Sequence, residues 1–77
     1  NEYVLYEFLH TMSNEFDTVM LVCHNPGITF FLNHVSNATV DNMPTLGIGV
    51  VEFDITQWKD VAAGSGKLVM FDFPKNK

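Results

Sequence analysis

The feature that most constrains this chain is an apolar run that ends abruptly in a polar turn and a proline. Residues 18–23 are rich in Val and Leu, which is typical of a strand buried on both faces of an α/β sheet. Asn25 then suits the N-cap of a helix, and Pro26 suits its first residue, where the missing N–H costs nothing. The pattern therefore predicts a buried strand that leads directly into a helix.

His24 falls at the carboxyl end of the predicted strand, immediately before the predicted helix. In open α/β sheets, ligands bind outside the carboxyl ends of strands, and the N–H groups at a helix start attract anions. A phosphate group beside His24 is therefore physically sensible. The backbone N–H groups of Asn25 and Gly27 are further candidates for binding it, although the capping role explains these two residues equally well.

The stretch 19–27 resembles the second signature of the histidine phosphatase (phosphoglycerate mutase-like) superfamily, in which an apolar strand ends in Gly-His and turns into a helix. The form His24-Asn25-Pro26-Gly27 is similar to that of the small phosphohistidine phosphatases called SixA. Three later segments agree with that branch: Met43-Pro44-Thr45, Val51-Glu52-Phe53-Asp54, and Trp58 followed by residues 64–69. The likeness extends over nearly the whole chain, from about Tyr3 to Pro74, but covers only the second half of the family domain.

This resemblance implies a phosphoglycerate mutase-like fold, a mostly parallel sheet flanked by helices, of which residues 1–77 form the C-terminal half. It also implies a two-step reaction: an upstream histidine attacks phosphorus, a phosphohistidine enzyme intermediate forms, and water hydrolyses it. His24 would be the catalytic residue in this half, donating a hydrogen bond to a phosphoryl oxygen. The first family signature, Arg-His-Gly, supplies the nucleophile and occurs nowhere in the sequence. No metal or cofactor is implied.

Composition sets further bounds on function. A formal net charge of −5 leaves no basic surface for nucleic acid or an anionic membrane. Because the chain has no arginine, a phosphate clamp must draw its cations from outside the segment. A single cysteine excludes an internal disulfide and fits a cytoplasmic location. A doubly covered strand needs more elements than this chain supplies, so a missing half is expected to cover an apolar face.

Two amphipathic helices are predicted from apolar residues at helical spacing. The first spans residues 3–12, with an inward stripe of Val4, Leu5, Phe8, Leu9 and Met12. The second follows Pro26 and stops near residues 36–37, with an inward stripe of Ile28, Phe31, Leu32 and Val35. A polar loop over residues 37–44 follows, and loops of this kind often carry binding contacts.

The C-terminal part is predicted to form an antiparallel hairpin at one edge of the sheet. Its strands are residues 45–55 and 67–73, separated by a short helical excursion at 55–62 that Thr56 could cap and by a tight turn at 64–66. Gly47 and Gly49 favour a bulge or a close backbone approach in the first strand. In the last strand, alternation predicts Leu68 and Met70 on one face and Val69, Phe71 and Phe73 on the other.

Other polar residues admit both a functional and a structural interpretation. Cys23 lies beside the predicted site, where a helix start can lower the pKa of a thiol, but it also suits a small buried strand residue. His10 is expected to be solvated on the first helix, and His34 suits the dipole at the end of the second. Glu52 and Asp54 share one strand face and could form a carboxylate pair, although such acids usually face water.

The resemblance therefore implies an α/β phosphatase that, as an intact protein, acts on a phosphohistidine of a protein partner or on a small phosphate ester. The segment by itself is expected to be inactive because it lacks the nucleophile. Two alternatives stay open: a non-catalytic domain of the same fold that binds phosphorylated ligands, and a small α/β interaction module in which residues 18–28 are only a strand–helix unit.

Overall fold

The computed structural model describes residues 2–75. The elements follow one another along the chain as α1 (Glu2–His10), α2 (Gly27–Val35), β1 (Ile48–Phe53), a short 3₁₀ helix (Trp58–Asp60) and β2 (Gly66–Asp72). The chain is thus a small α/β protein in which two helices accompany a two-stranded antiparallel hairpin. No helix in this described part has the length and apolarity needed to cross a membrane.

Helix α1 forms where the sequence predicts it, and its predicted stripe is confirmed in part, since Leu5 and Met12 pack partly buried against the cluster that contains Leu9. Tyr6 and Leu9 are buried, whereas Val4 and Phe8, both predicted to face inward, are more than half exposed. The Tyr6 ring packs edge-on against Phe31 with 5.0 Å between ring centroids. The inward stripe is therefore shifted toward Tyr6, which contacts α2 through Phe31.

The predicted inward stripe of α2 is confirmed, and it serves two packing surfaces. Phe31 and Val35 join Tyr6, Leu9 and Val61 in one buried cluster. Leu32, on the adjacent part of the helix surface, joins a second cluster with the loop residues Ala38 and Met43, against which the hairpin residues Val51, Leu68 and Phe71 pack. Helix α2 is therefore the element that connects α1 to the hairpin.

The strand predicted at residues 18–23, buried on both faces, does not form in the described chain. The segment has no regular secondary structure, and its side chains alternate between half-buried and exposed. Val19 and Leu21 pack against the first cluster, whereas Met20 and Val22 are 82% and 87% exposed. A strand needs a neighbour to hydrogen-bond with, and the described residues place none beside this segment.

The antiparallel hairpin is confirmed, with Val50 opposite Met70 and Val51 opposite Leu68. Val69 is therefore an extra residue on β2, which makes it the site of a β-bulge. The bulge reverses the side-chain alternation, so that Leu68 and Phe71 both pack on the second cluster. The predicted pairing of Leu68 with Met70 on one face is wrong for this reason.

The two glycines before and within β1 lie where the backbone makes close approaches, as predicted. A Cβ on Gly47 would lie 2.9 Å from the carbonyl oxygen of Pro44, and one on Gly49 would lie 3.3 Å from both methyl groups of Leu32. Neither position leaves room for a side chain without movement of its neighbours. The bulge itself falls on the partner strand rather than at either glycine.

The connection between the strands differs in detail from the prediction. Helical structure is limited to the 3₁₀ turn Trp58–Asp60, and Gln57, not Thr56, precedes it. Trp58 nevertheless folds back over the first cluster, and its indole N–H donates to the carbonyl oxygen of Phe16 at 2.8 Å. This bond fixes the chain just before the extended segment. The tight turn is confirmed, with Gly64 at a φ of 70°.

Candidate functional site

His24 lies at the junction between the extended segment and α2, and its side chain is exposed. The backbone is well fixed at this point, because the carbonyl oxygen of His24 accepts a hydrogen bond from the N–H of Ile28 at 3.1 Å. An exposed imidazole on a fixed backbone can meet a ligand from solution without rearrangement of the chain.

Helix α2 begins one residue later than predicted. Its first residue is Gly27, and Pro26 rather than Asn25 occupies the cap position. Asn25 makes no capping hydrogen bond with its side chain, so the predicted N-cap is wrong. Because Pro26 lacks an N–H, it removes one of the donors that a helix start leaves without an intrahelical partner.

The Asn25 side chain instead fastens the loop before β1 to the start of α2. Its amide N–H donates to the carbonyl oxygen of Met43 at 2.7 Å, and its amide oxygen accepts from the hydroxyl of Thr29 at 2.5 Å. The Thr29 oxygen in turn accepts from the N–H of Met43 at 3.0 Å. We refer to this three-residue network of Asn25, Thr29 and Met43 as the polar clasp.

Thr29 is the residue that sequence reasoning missed. Its side chain is only 5% exposed, yet its hydroxyl makes two of the three bonds of the polar clasp. The signal in the sequence is its position in the first turn of α2, four residues after Asn25, where the two side chains can reach each other. The partner atoms on Met43 could not be predicted because they come from a loop distant in sequence.

The backbone N–H groups of Asn25 and Gly27 donate no hydrogen bond within the described residues. A Cβ on Gly27 would meet no atom within 4 Å, so packing does not require a glycine there. Two N–H donors thus remain beside His24 at the start of a nine-residue helix. Such donors are suited to an anion.

The cations that a phosphate site ordinarily needs are not supplied by this neighbourhood of the sequence. The chain has no arginine, and its lysines all lie after residue 58. Cys23, next to His24, is a half-buried free thiol. The residues 23–27 therefore offer an imidazole and backbone donors but no guanidinium fork of the kind that binds phosphate most strongly.

The other two histidines have structural contacts. His10 is not simply solvated as predicted, because its Nε2 donates to the carbonyl oxygen of Val61 at 2.8 Å. His34 lies in the last turn of α2, and its Nδ1 is hydrogen-bonded to the hydroxyl of Tyr6 at 2.7 Å. Each histidine thus joins a helix to a distant part of the chain.

Glu52 and Asp54 are exposed, as expected for acids near a sheet edge, and Met43 is a buried core residue. Two open concave regions lie at the far end of the hairpin, and His24 lines neither of them; their residues are Pro44, Thr45, Leu46, Ile48, Asp72, Phe73, Pro74 and Lys75. Among the residues that the structure describes, no group of three or more His, Cys, Asp or Glu side chains could hold a metal ion.

Comparisons of the chain with protein-family models, with curated proteins and with solved structures found no match. The class of the protein is therefore assigned from its residues and geometry alone. These define a small α/β protein with an exposed histidine just before a helix start.

Proposed function

We propose that this chain is the C-terminal half of a histidine phosphatase domain related to the SixA-type phosphohistidine phosphatases. In the intact protein, residues 18–23 would be a central strand of a mostly parallel sheet, with the hairpin as its antiparallel edge. The observation that carries the proposal is an exposed His24 that directly precedes a helix start at which the backbone N–H groups of Asn25 and Gly27 form no hydrogen bond.

The proposed reaction has two steps. A histidine from the missing half attacks phosphorus, the bond from phosphorus to the leaving group breaks, and a phosphohistidine intermediate forms. Water then attacks the same phosphorus and releases phosphate. In both steps His24 donates a hydrogen bond to a non-bridging phosphoryl oxygen, which carries more charge in the transition state than in the ground state.

The exposed side of residues 18–23 and the lack of arginine both support the proposal that part of the domain is missing. The outer side chains Met20 and Val22 are almost fully exposed, as they would be if a covering layer were missing. The missing arginines would come from the same absent half. The substrate class is a phosphohistidine of a protein partner or a small phosphate ester, and the proposed location is cytoplasmic.

The test is hydrolysis of an aryl phosphate by the intact protein that contains this segment. Replacement His24→Ala should lower kcat/KM by about a hundredfold, the usual effect of losing one oxyanion donor. His34→Ala is the matched control. It also removes an imidazole, but one whose contact is the structural hydrogen bond with Tyr6. Retention of full activity by the His24→Ala variant would contradict the proposal, as would turnover by residues 1–77 alone.

A second candidate function is a small α/β interaction module without catalytic activity. The outward apolar residues of the hairpin favour it, in particular Ile48, Val50, Val69 and Met70, which are between 39% and 54% exposed. An inactive intact protein that binds a partner through this face would support the module instead.

A further inference from the structure

The backbone of residues 18–23 forms no hydrogen bond with the rest of the described chain, neither through an N–H nor through a carbonyl group. The nearest bonds lie just outside it, where the carbonyl oxygens of Phe16 and His24 accept from Trp58 and Ile28. Extended backbone with open N–H and carbonyl groups is a template for pairing with another strand.

The side chains show that the segment already has an inner and an outer face. Val19 and Leu21 pack against the first cluster, whereas Met20 and Val22 point away from the protein. This alternation is that of a strand with one covered face. The inner face fixes the segment, so the backbone edges are presented in a defined orientation.

We propose that this segment pairs, antiparallel and centred on Leu21, with the same segment of a second copy of the chain. The run 18–23 carries no charge and no proline, a composition that favours strand pairing between identical segments. Its two ends differ, because Asp17 precedes the run and His24 follows it. Antiparallel pairing brings the acidic end of each copy toward the histidine end of the other.

A parallel, in-register pair would instead place Asp17 beside Asp17, and like charges opposite one another are destabilising. The antiparallel arrangement is also self-complementary, so a two-fold axis at Leu21 gives a closed dimer. In that register Met20 of each copy lies opposite Val22 of the other, on the outer face.

This inference does not depend on the proposed function, although the two are connected. In an intact phosphatase domain, neighbouring strands would occupy the same backbone edges, and the second copy would be excluded. The dimer is therefore a property of the 77-residue chain, and its test does not involve hydrolysis.

The experiment measures the dimerisation constant of the 77-residue chain by sedimentation and the exchange of its amide hydrogens as a function of concentration. The wild-type chain should dimerise, with protection at residues 18–23 that rises with concentration. The variant Met20→Lys/Val22→Lys places lysine opposite lysine in the antiparallel register and should weaken dimerisation by about tenfold or more. Its net charge is less negative than −5, so general repulsion between copies falls and cannot explain the loss.

The matched variant is Met20→Lys/Val22→Glu, which places lysine opposite glutamate twice and should retain the dimer. In a parallel register it would place lysine opposite lysine and glutamate opposite glutamate, and would lose it. Ile48→Lys/Val50→Lys, on the exposed face of the hairpin, should leave dimerisation unchanged.

Several results would overturn the proposal. These are a monomeric wild-type chain with exchange at residues 18–23 independent of concentration, equal association of the two variants at positions 20 and 22, and loss of the dimer in the hairpin variant alone. Loss of the dimer in both variants at positions 20 and 22 counts against it as well, since the lysine–glutamate variant is designed to pair. Circular dichroism confirms that each variant keeps its helices.

Discussion

Residues 18–23 and strand β1 are both short apolar stretches, but only β1 forms a hydrogen-bonded strand. The first is the more hydrophobic of the two, since β1 contains Gly49 and Glu52. Even so, β1 is hydrogen-bonded along its length to β2, whereas the earlier segment has no partner among the described residues. Hydrophobicity therefore does not decide which of the two becomes a strand.

The difference comes from what each stretch can reach. Strand β2 follows β1 after a single connection, residues 54–65, which the Trp58 turn folds back over the core, so that the two strands meet by closing one local loop. Residues 18–23 lie between two helices. The strands β1 and β2, with which they could have paired, are already paired with each other. An extended segment becomes a strand only when a partner is available.

Amide hydrogen exchange should show the largest difference between the two regions. In dilute solution, where the chain is monomeric, the amides of residues 18–23 should exchange about two orders of magnitude faster than the paired amides of β1 and β2. This corresponds to about 3 kcal/mol of local opening free energy, because opening the hairpin breaks its hydrogen bonds and exposes its packed face. Equal protection of the amides in the two regions would contradict the conclusion that only β1 and β2 are hydrogen-bonded to each other.

A smaller effect is expected from a substitution at the start of β2. Gly66 is buried, and a Cβ there would collide with the side chains of Val51 and Phe53. Gly66→Ala should therefore lower the free energy of unfolding by about 1–3 kcal/mol, measured by urea denaturation. Gly27→Ala is the control, because its Cβ meets no neighbour; it should be neutral or stabilising by up to about 1 kcal/mol. Equal losses in both variants would contradict the packing argument.

The smallest effect should separate the two faces of residues 18–23. Leu21 is half-buried against the first cluster, so Leu21→Ala should lower the free energy of unfolding by about 1–2 kcal/mol. Met20→Ala, at a side chain that is 82% exposed, should change it by less than about 0.5 kcal/mol. Thermal unfolding of the two variants in dilute solution measures this difference. A larger loss of unfolding free energy from Met20→Ala than from Leu21→Ala would show that the inner and outer faces are assigned the wrong way round.

Much of the fold could be predicted because it depends on local patterns. The inward stripe of α2, the glycine turn and the antiparallel hairpin were all predicted from periodicity and turn residues, and the structure confirms them. The helix that follows His24 was predicted in the same way and is confirmed, whereas the strand predicted before it is not formed. Its catalytic role, and that of the N–H groups of Asn25 and Gly27, stays a prediction.

The errors involve contacts between distant parts of the chain. Asn25 suits an N-cap by its local sequence, but Thr29 and the loop at Met43 compete for its side chain and hold it in the polar clasp. The side-chain faces predicted for β2 by alternation are wrong because the bulge at Val69 arises from pairing with β1. Val4 and Phe8 are exposed because no element packs against that side of α1 in the described chain.

The sequence by itself determined where α1 and α2 form and where turns interrupt the chain, since these depend on side chains a few positions apart. Only the tertiary structure decided which apolar stretch obtained a hydrogen-bonding partner, which side chain bound the loop at Met43 and how the bulge set the faces of β2. The physical reason is that pairing and burial are properties of neighbours in space, and a local pattern contains no information about which neighbours will be there.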